Sequence, residues 1–250
     1  MADATRRPRI ALLIDADNSP ASKIDDILNE LSAFGETSIR RAYGNWTKTE
    51  LRGWAEVLHE KAIRPIQLYD YSKRKNASDI ALVIDAMELL YTDQPDAFGI
   101  VSSDADFTPL VMHLREKGAA VYGFGAQKTP APFVSACSRF LFLDQLGADA
   151  EDEDEDEAPK RQLRVSTAKL KQDAALVRLL RNAVKVSADE EGWALVGTVG
   201  QNISNQSSFD PRNYGYASLS KLLAATQLFE FRGEGTGAVA VRDHRRSRRS

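Results

Sequence analysis

Three short stretches carry more carboxylates than local structure needs. ALLIDADN ends on Asp15, Asp17 and Asn18, SDIALVIDAMELL opens close to Asp79, and SSDADF holds Asp104 and Asp106. Taken singly, each acid has a plain explanation, because a helix start favours a carboxylate as cap or dipole partner. Together on one site they would repel one another and raise their pKa values unless a cation lay among them. Oxygen-only donors of this kind suit Mg²⁺ or Mn²⁺. The chemistry such a cluster supports is phosphoryl transfer or hydrolysis, in which the ion activates water and offsets charge on the phosphate.

Basic and aromatic residues adjoin these acids. TSIRRAYGNW supplies Arg40, Arg41, Tyr43 and Trp46, and YSKRKNASD places Lys73, Arg74, Lys75 and Asn76 just ahead of Asp79. Cations interleaved with rings suit a single nucleic-acid strand, its phosphates held by charge and its bases stacked. The competing explanation for each patch is a solvated basic loop, with Trp46 in the core.

The elements around these motifs must bring them together. From Arg9 to about Leu146 short apolar strands alternate with amphipathic helices: RIALLID, then SKIDDILNELSAFG, TSIRRAYG, KTELRGWAEVLHEKA and IRPIQLYDY. SDIALVIDAMELLYT, FGIVSS, DFTPLVMHLREKG, AAVYGFGA and a last helix PAPFVSACSRF follow, ahead of a short LFLDQL. Strands separated by helices of this length predict an α/β fold, a doubly wound and mostly parallel sheet covered on both faces. In such a sheet ligands bind outside the carboxyl ends of the strands. Asp15 and Asp104 follow strands at that edge, and Asp79, with Ser78 as its expected N-cap, begins a crossover helix whose start lies along the same edge. Asp85 is the exception, roughly 9 Å further down that helix at the usual rise, and a packing or supporting role is expected for it.

Composition bounds the alternatives. One cysteine, Cys137, permits no intramolecular disulfide, and the three histidines His59, His113 and His244 are too scattered for a structural zinc site. With no signal-like or membrane-spanning apolar run, the expectation is a soluble protein of the reducing cytoplasm, with no membrane partner. The net charge of −3 conceals an asymmetry, because DAEDEDEDE holds eight of the 36 acids, and the other 28 face 33 Lys and Arg, leaving about +5. An acidic tether over residues 147–165 is therefore expected to be disordered, with mimicry of a polyanion as the minority alternative.

Beyond the tether, residues 166–243 have the pattern of a small winged helix-turn-helix domain. STAKLKQDAALVRLLRNAVKVS predicts one or two helices, and GWALVGTVGQNISNQ helix or turn. NYGYASLSKLLAAT predicts a further helix, and QLFEFRGEGTGAVAVRD a two-stranded wing. HRRSRRS, residues 244–250, is a basic tail expected to be disordered.

In this order, LLIDADN, RAYGNW, SKRKNASDIALVIDAMELL and VSSDADFTPLV resemble the NYN domains, relatives of the PIN and FLAP nucleases. The resemblance covers roughly Arg9 to Leu146. It implies a metal-dependent ribonuclease whose catalytic, metal-holding acids correspond to Asp15, Asp79, Asp104 and Asp106, with Asp17 and Asn18 as candidate supports. FDPRNYGYASLSKLLAATQLFEF is similar to the OST-HTH or LOTUS domain, with Phe209, Tyr214, Leu219, Leu222 and Leu223 as core and Arg212, Asn213, Tyr216 and Lys221 as candidate exposed residues. Arg212 and Lys221 are the candidate RNA contacts there. That second resemblance implies an RNA partner, in some members G-rich or quadruplex RNA, or a protein partner.

Two other readings compete. DAD also resembles the DxD of haloacid-dehalogenase phosphatases, where Asp15 would be a nucleophile and Asp17 a general acid. Against this, Asn18 and Ser19 replace the usual continuation. In the other reading, a non-catalytic RNA-binding adaptor would use the same acids around an inert structural cation.

Overall fold

The computed structural model describes residues 6–69, 77–146, 164–233 and 238–247. The chain divides into two compact units, residues 1–146 and 147–250. The acidic run and Lys73, Arg74, Lys75 and Asn76 lie outside the described residues.

The first unit is built on six parallel strands: β1 (Arg9–Asp15), β2 (Glu36–Gly44), β3 (Arg64–Gln67), β4 (Ala97–Val101), β5 (Ala120–Gly125) and β6 (Arg139–Phe142), in the order β3-β2-β1-β4-β5-β6. The central β1 is apolar on both sides, as a strand covered by two helical layers must be. Ile10, Leu12 and Ile14 pack with Ile24, Ile27 and Leu31 of α1 (Ile24–Ser32) and with Trp54 and Leu58 of α2 (Arg52–Glu60). Ala11 and Leu13 face the opposite layer, where α3 (Ala77–Thr92) contributes Leu82, Ala86 and Leu89, α4 (Thr108–Glu116) Leu110, Val111 and Leu114, and α5 (Ala131–Ala136) Phe133. Pro65 is accommodated because β3 is an edge strand, where the missing N–H leaves no ladder bond unmade.

The end of this unit differs from the sequence expectation. The helix predicted over PAPFVSACSRF stops at Ala136, Cys137 turns extended (ψ 154°), and RFLF becomes β6 beside β5. A short apolar run has no periodicity that separates helix from strand. Close contact decides here: a Cβ on Gly123 of β5 would come within 2.6 Å of the Cys137 sulfur and 2.5 Å of the Phe140 ring. Glycine lets β5 approach the segment that becomes its neighbour.

The order of strands places a switch point at β1. The chain leaves β1 for β2 and β3 on one side and returns through α3 to β4 on the other. The connections after β1 and β4 therefore part, opening a crevice at their carboxyl ends.

The second unit contains α6 (Thr167–Gln172), α7 (Ala174–Ser187), β7 (Ala194–Leu195), α8 (Val196–Gln206), α9 (Leu219–Thr226), β8 (Phe229–Arg232), β9 (Ala240–Asp243) and a helical turn α10 (His244–Ser247). Asp173 separates α6 from α7 by turning extended, and its carboxylate caps α7 by accepting from the Leu176 N–H at 2.9 Å. The wing has three strands rather than two, because β7 joins the β8–β9 hairpin as an antiparallel edge. Leu170, Leu180, Val199, Leu222, Leu223 and Val241 form its core. Val165, assigned to the tether by sequence, is tied into this unit by bonds to Tyr214 and Tyr216. The tail expected to be disordered begins instead as α10, started by the Asp243 carboxylate on the Arg245 N–H at 3.0 Å.

Candidate active site

Asp15 is the last residue of β1 and is 1% exposed. Its Oδ2 accepts from Asn18 Nδ2 and from the Ser102 hydroxyl, each at 2.9 Å. Its Oδ1 is buried without a hydrogen-bond partner. A carboxylate oxygen in that state is costly to keep. Burial raises the Asp15 pKa, the bonds from Asn18 and Ser102 oppose the rise, and the charges of Asp17 and Asp104 add to it.

The other acids surround this point at differing depths. Ser102, fully buried after β4, also accepts from the Asp104 N–H at 3.1 Å, and Asp104 in turn accepts from the Asp106 N–H at 2.9 Å. Asp104 is half-buried and Asp106 exposed. Asp79 lies in the first turn of α3, and its carboxyl is pushed up to about 6, first by burial and then by the charges of Asp15, Asp104, Asp106 and Asp17. Acids separated widely along the chain thus share one electrostatic environment. Asp17 is tethered from two sides, by Lys48 Nζ at 3.4 Å and by the Ser78 hydroxyl at 2.9 Å.

Ser78 is therefore not the N-cap expected from sequence. The helix already includes Ala77, and the Ser78 hydroxyl is spent on Asp17. Ser102 and Lys48 were missed as supports of the site. The only signal for Ser102 was a hydroxyl directly after a fully apolar strand, and for Lys48 its place in the loop after RAYGNW.

The expected RNA contacts fare differently. Tyr43 is fully buried and donates to Asp85 Oδ2 at 2.6 Å, so its ring cannot stack a base. Burial and then that bond raise its pKa far above the usual phenol range. Arg41 pairs with the same oxygen at 2.8 Å. Asp85 consequently clamps α3 onto β2 and stands outside the acid crevice. Arg40 is pinned to the carbonyls of Thr37 and Lys61 at 3.1 and 2.8 Å. Trp46 is half-buried, with its indole N–H on the Ile66 carbonyl at 3.0 Å.

In the second unit Arg212 grips the buried Asp210, Nε to Oδ1 at 3.1 Å and Nη2 to Oδ2 at 3.0 Å, which gives it a structural task in place of the exposed one expected. Tyr216, also expected to be exposed, is half-buried and donates to the Val165 carbonyl at 2.8 Å. Lys221 is exposed on α9.

Among the described residues no group of three or more Asp, Glu, His or Cys side chains is gathered tightly enough to hold a metal ion as it stands. The donor set nevertheless suits a hard divalent cation, because one buried Asp15 carboxylate oxygen has no hydrogen-bond partner and the charges of neighbouring acids raise the pKa of Asp15 and Asp79. Asp15, Asp79 and Asp104 bring acids from three chain segments to this end of the sheet.

A six-stranded parallel sheet with acids at the carboxyl end of its switch point defines a doubly wound α/β protein. The chain belongs to the NYN-domain family, a PIN-like nuclease family, whose model matches residues 9–144. Residues 169–241 match the OST-HTH/LOTUS domain, an RNA-binding module. An uncharacterized protein of Methanocaldococcus jannaschii is 30% identical over 125 residues, 48% of this chain and 48% of that protein. The chain thus spans about half the length of this curated relative. A protein of unknown function from Vibrio parahaemolyticus has a crystal structure similar at a TM-score of 0.46 and 19% identity, over 57% of this chain and 96% of that one. No helix among the described residues is long and apolar enough to cross a membrane.

Proposed function

We propose that the protein is a metal-dependent ribonuclease that cleaves single-stranded RNA, with the winged helix recruiting the substrate. The observation that carries this reading is the buried, unpartnered Oδ1 of Asp15, held at the switch point of a nuclease-family fold among acids whose charges raise the pKa of Asp15 and Asp79. Mg²⁺ or Mn²⁺, when bound, supplies Lewis acidity that polarises the phosphodiester and makes water nucleophilic at neutral pH.

The chain's own residues prepare that chemistry. Asn18 and Ser102 fix one oxygen of Asp15 and leave the other buried without a partner. The Asp106 N–H orients Asp104, while Asp106 itself adds negative charge at the exposed rim. Lys48 and Ser78 hold Asp17 back, so that it supports the cluster electrostatically. Lys221 offers a cation to an RNA backbone, and the tether raises the local concentration of captured RNA at the nuclease unit. The one cysteine, buried, suits the reducing cytoplasm proposed as its location.

Labelled single-stranded RNA incubated with the full chain, with and without Mn²⁺, tests the reading. Internal cleavage that needs Mn²⁺ and is lost in Asp15→Asn and Asp104→Asn is expected. Full cleavage by both variants would sink the site assignment. The lack of a closely gathered ligand group among the described residues favours one second reading, an RNA-binding adaptor, for which binding without turnover is the result. Family membership leaves the phosphatase reading without support.

A further inference from the structure

A second concavity adjoins the acid crevice within the first unit. A groove of about 510 Å³ runs between α2 and the β3 edge, lined among others by Trp46, Lys48, Leu51, Ala55, Leu58 and Ile63. Its volume falls within the roughly 300–1,000 Å³ of small-molecule sites. The walls are mainly apolar, and the lining includes Lys48, the residue that pairs with Asp17 at 3.4 Å. Lys48 therefore links the groove to the acid cluster.

From this junction we infer that the groove is a base-binding subsite of the ribonuclease, taking one nucleobase of the RNA strand whose phosphate lies in the crevice. The inference rests on the ribonuclease reading. Three features select a nucleotide as occupant. The indole of Trp46 is locked by its bond to the Ile66 carbonyl, so an aromatic wall is in place before any ligand arrives. Leu51, Leu58 and Ile63 offer an apolar surface suited to the faces of a base. Lys48 and the exposed Arg52 add two cations to the lining, suited to the sugar-phosphate backbone of an inserted nucleotide. Stacking on a fixed ring with cations along the backbone is how single strands are held without sequence reading. The acids alone would repel RNA; this neighbouring subsite gives the strand a favourable place to anchor beside them.

Ala55 allows the test, because it is exposed and lines the groove without belonging to the core. With the full chain in EDTA, short single-stranded RNA carrying 4-thiouridine for uridine should cross-link on irradiation to residues 46–63. Ala55→Trp, which fills the groove, should cut that yield about tenfold, the loss expected for one stacked base, while Ala55→Ser keeps it. In Mn²⁺ the same plug should raise KM for RNA about tenfold with kcat nearly unchanged, as loss of uniform binding does. An absent adduct, or one indifferent to the plug, overturns the subsite. Cleavage by wild type with KM unaffected by Ala55→Trp also removes it and leaves the nuclease standing. A plug-sensitive adduct in a chain that cleaves nothing removes the nuclease reading, and with it the role of this groove in catalysis.

Discussion

The Ser102 hydroxyl, on the connection after β4, donates a 2.9 Å hydrogen bond to Asp15 Oδ2, at the end of β1, joining residues 87 positions apart. The two strands are neighbours in the sheet, and this buried bond ties the end of one to the segment that follows the other. It fixes the carboxylate whose other oxygen is unpartnered. Removing the hydroxyl leaves Asn18 as the remaining donor to that oxygen. Ser102→Ala should therefore raise the Asp15 pKa further and cost about 1.5–3 kcal/mol of stability, the range for a bond to a charged acceptor. Denaturant unfolding and carboxyl NMR titration check both, and an unchanged Asp15 titration would show that the bond does not set its charge state.

Asp79 gives stability an unusual pH dependence in the metal-free protein. Its folded pKa, about 6, lies above its ordinary 3.8, so between these values the native state binds more protons than the unfolded chain. The sign follows: stability falls as pH rises through that window, and the deficit persists above it. After allowance for solvent screening at this partly open site, the deficit is about 1 kcal/mol. Asp79→Asn should raise Tm near neutral pH and leave it unchanged well below 3.8. On the proposed reading, Mn²⁺ should raise the wild-type Tm near neutral pH by binding the native state and do so much less in Asp15→Asn. A gain for Asp79→Asn of equal size at every pH would contradict the account.

Asp85 should behave as a clamp. It receives Tyr43 at 2.6 Å and Arg41 at 2.8 Å on one oxygen, with Arg41 and Asp85 side chains each 20% exposed. Tyr43→Phe should cost about 1 kcal/mol, whereas Asp85→Ala strands a largely buried guanidinium and should cost about 2–3 kcal/mol. The double variant should cost less than the sum, because both changes remove one shared bond. Tyr43→Phe should also bind RNA as wild type does, since the ring is covered, and a large loss of RNA affinity measured by anisotropy would refute this.

The second unit separates two basic residues that look alike in sequence. Arg212 neutralises an Asp210 carboxylate with no exposed side chain, so Arg212→Ala should destabilise the winged helix by about 3 kcal/mol. Lys221→Glu lies on an exposed face of α9 and should leave folding intact while weakening RNA binding severalfold, more so at low salt. Thermal unfolding read alongside binding at two salt concentrations distinguishes the pair. Equal stability losses in both variants would remove the distinction.

Much of this arrangement was legible in the residues. Alternating apolar segments specified the parallel sheet, since a strand such as RIALLID has no polar side to show solvent. The acid motifs could be assigned to one edge because crossover helices return the chain in a fixed sense. What was not legible was how each polar side chain near those motifs would be used. Tyr43 and Arg41 belong to a basic and aromatic stretch of the sequence, and alternation along β2 sends them beneath α3, to Asp85. Ser102 and Lys48 carry no motif of their own; only the bonds they make to Asp15 and Asp17 mark them.

By itself the sequence determined the α/β class, the winged helix and the carboxyl-edge placement of Asp15, Asp79 and Asp104, because hydrophobic periodicity and chain handedness are local properties that read directly from residue order. Tertiary structure alone decided that RFLF is a sixth strand, that Ser78 serves Asp17, and that Asp15 keeps one oxygen unpartnered. Those outcomes depend on which groups meet across the fold. Hydrogen bonding and burial are settled by distances between residues far apart in the chain, and no local pattern encodes them.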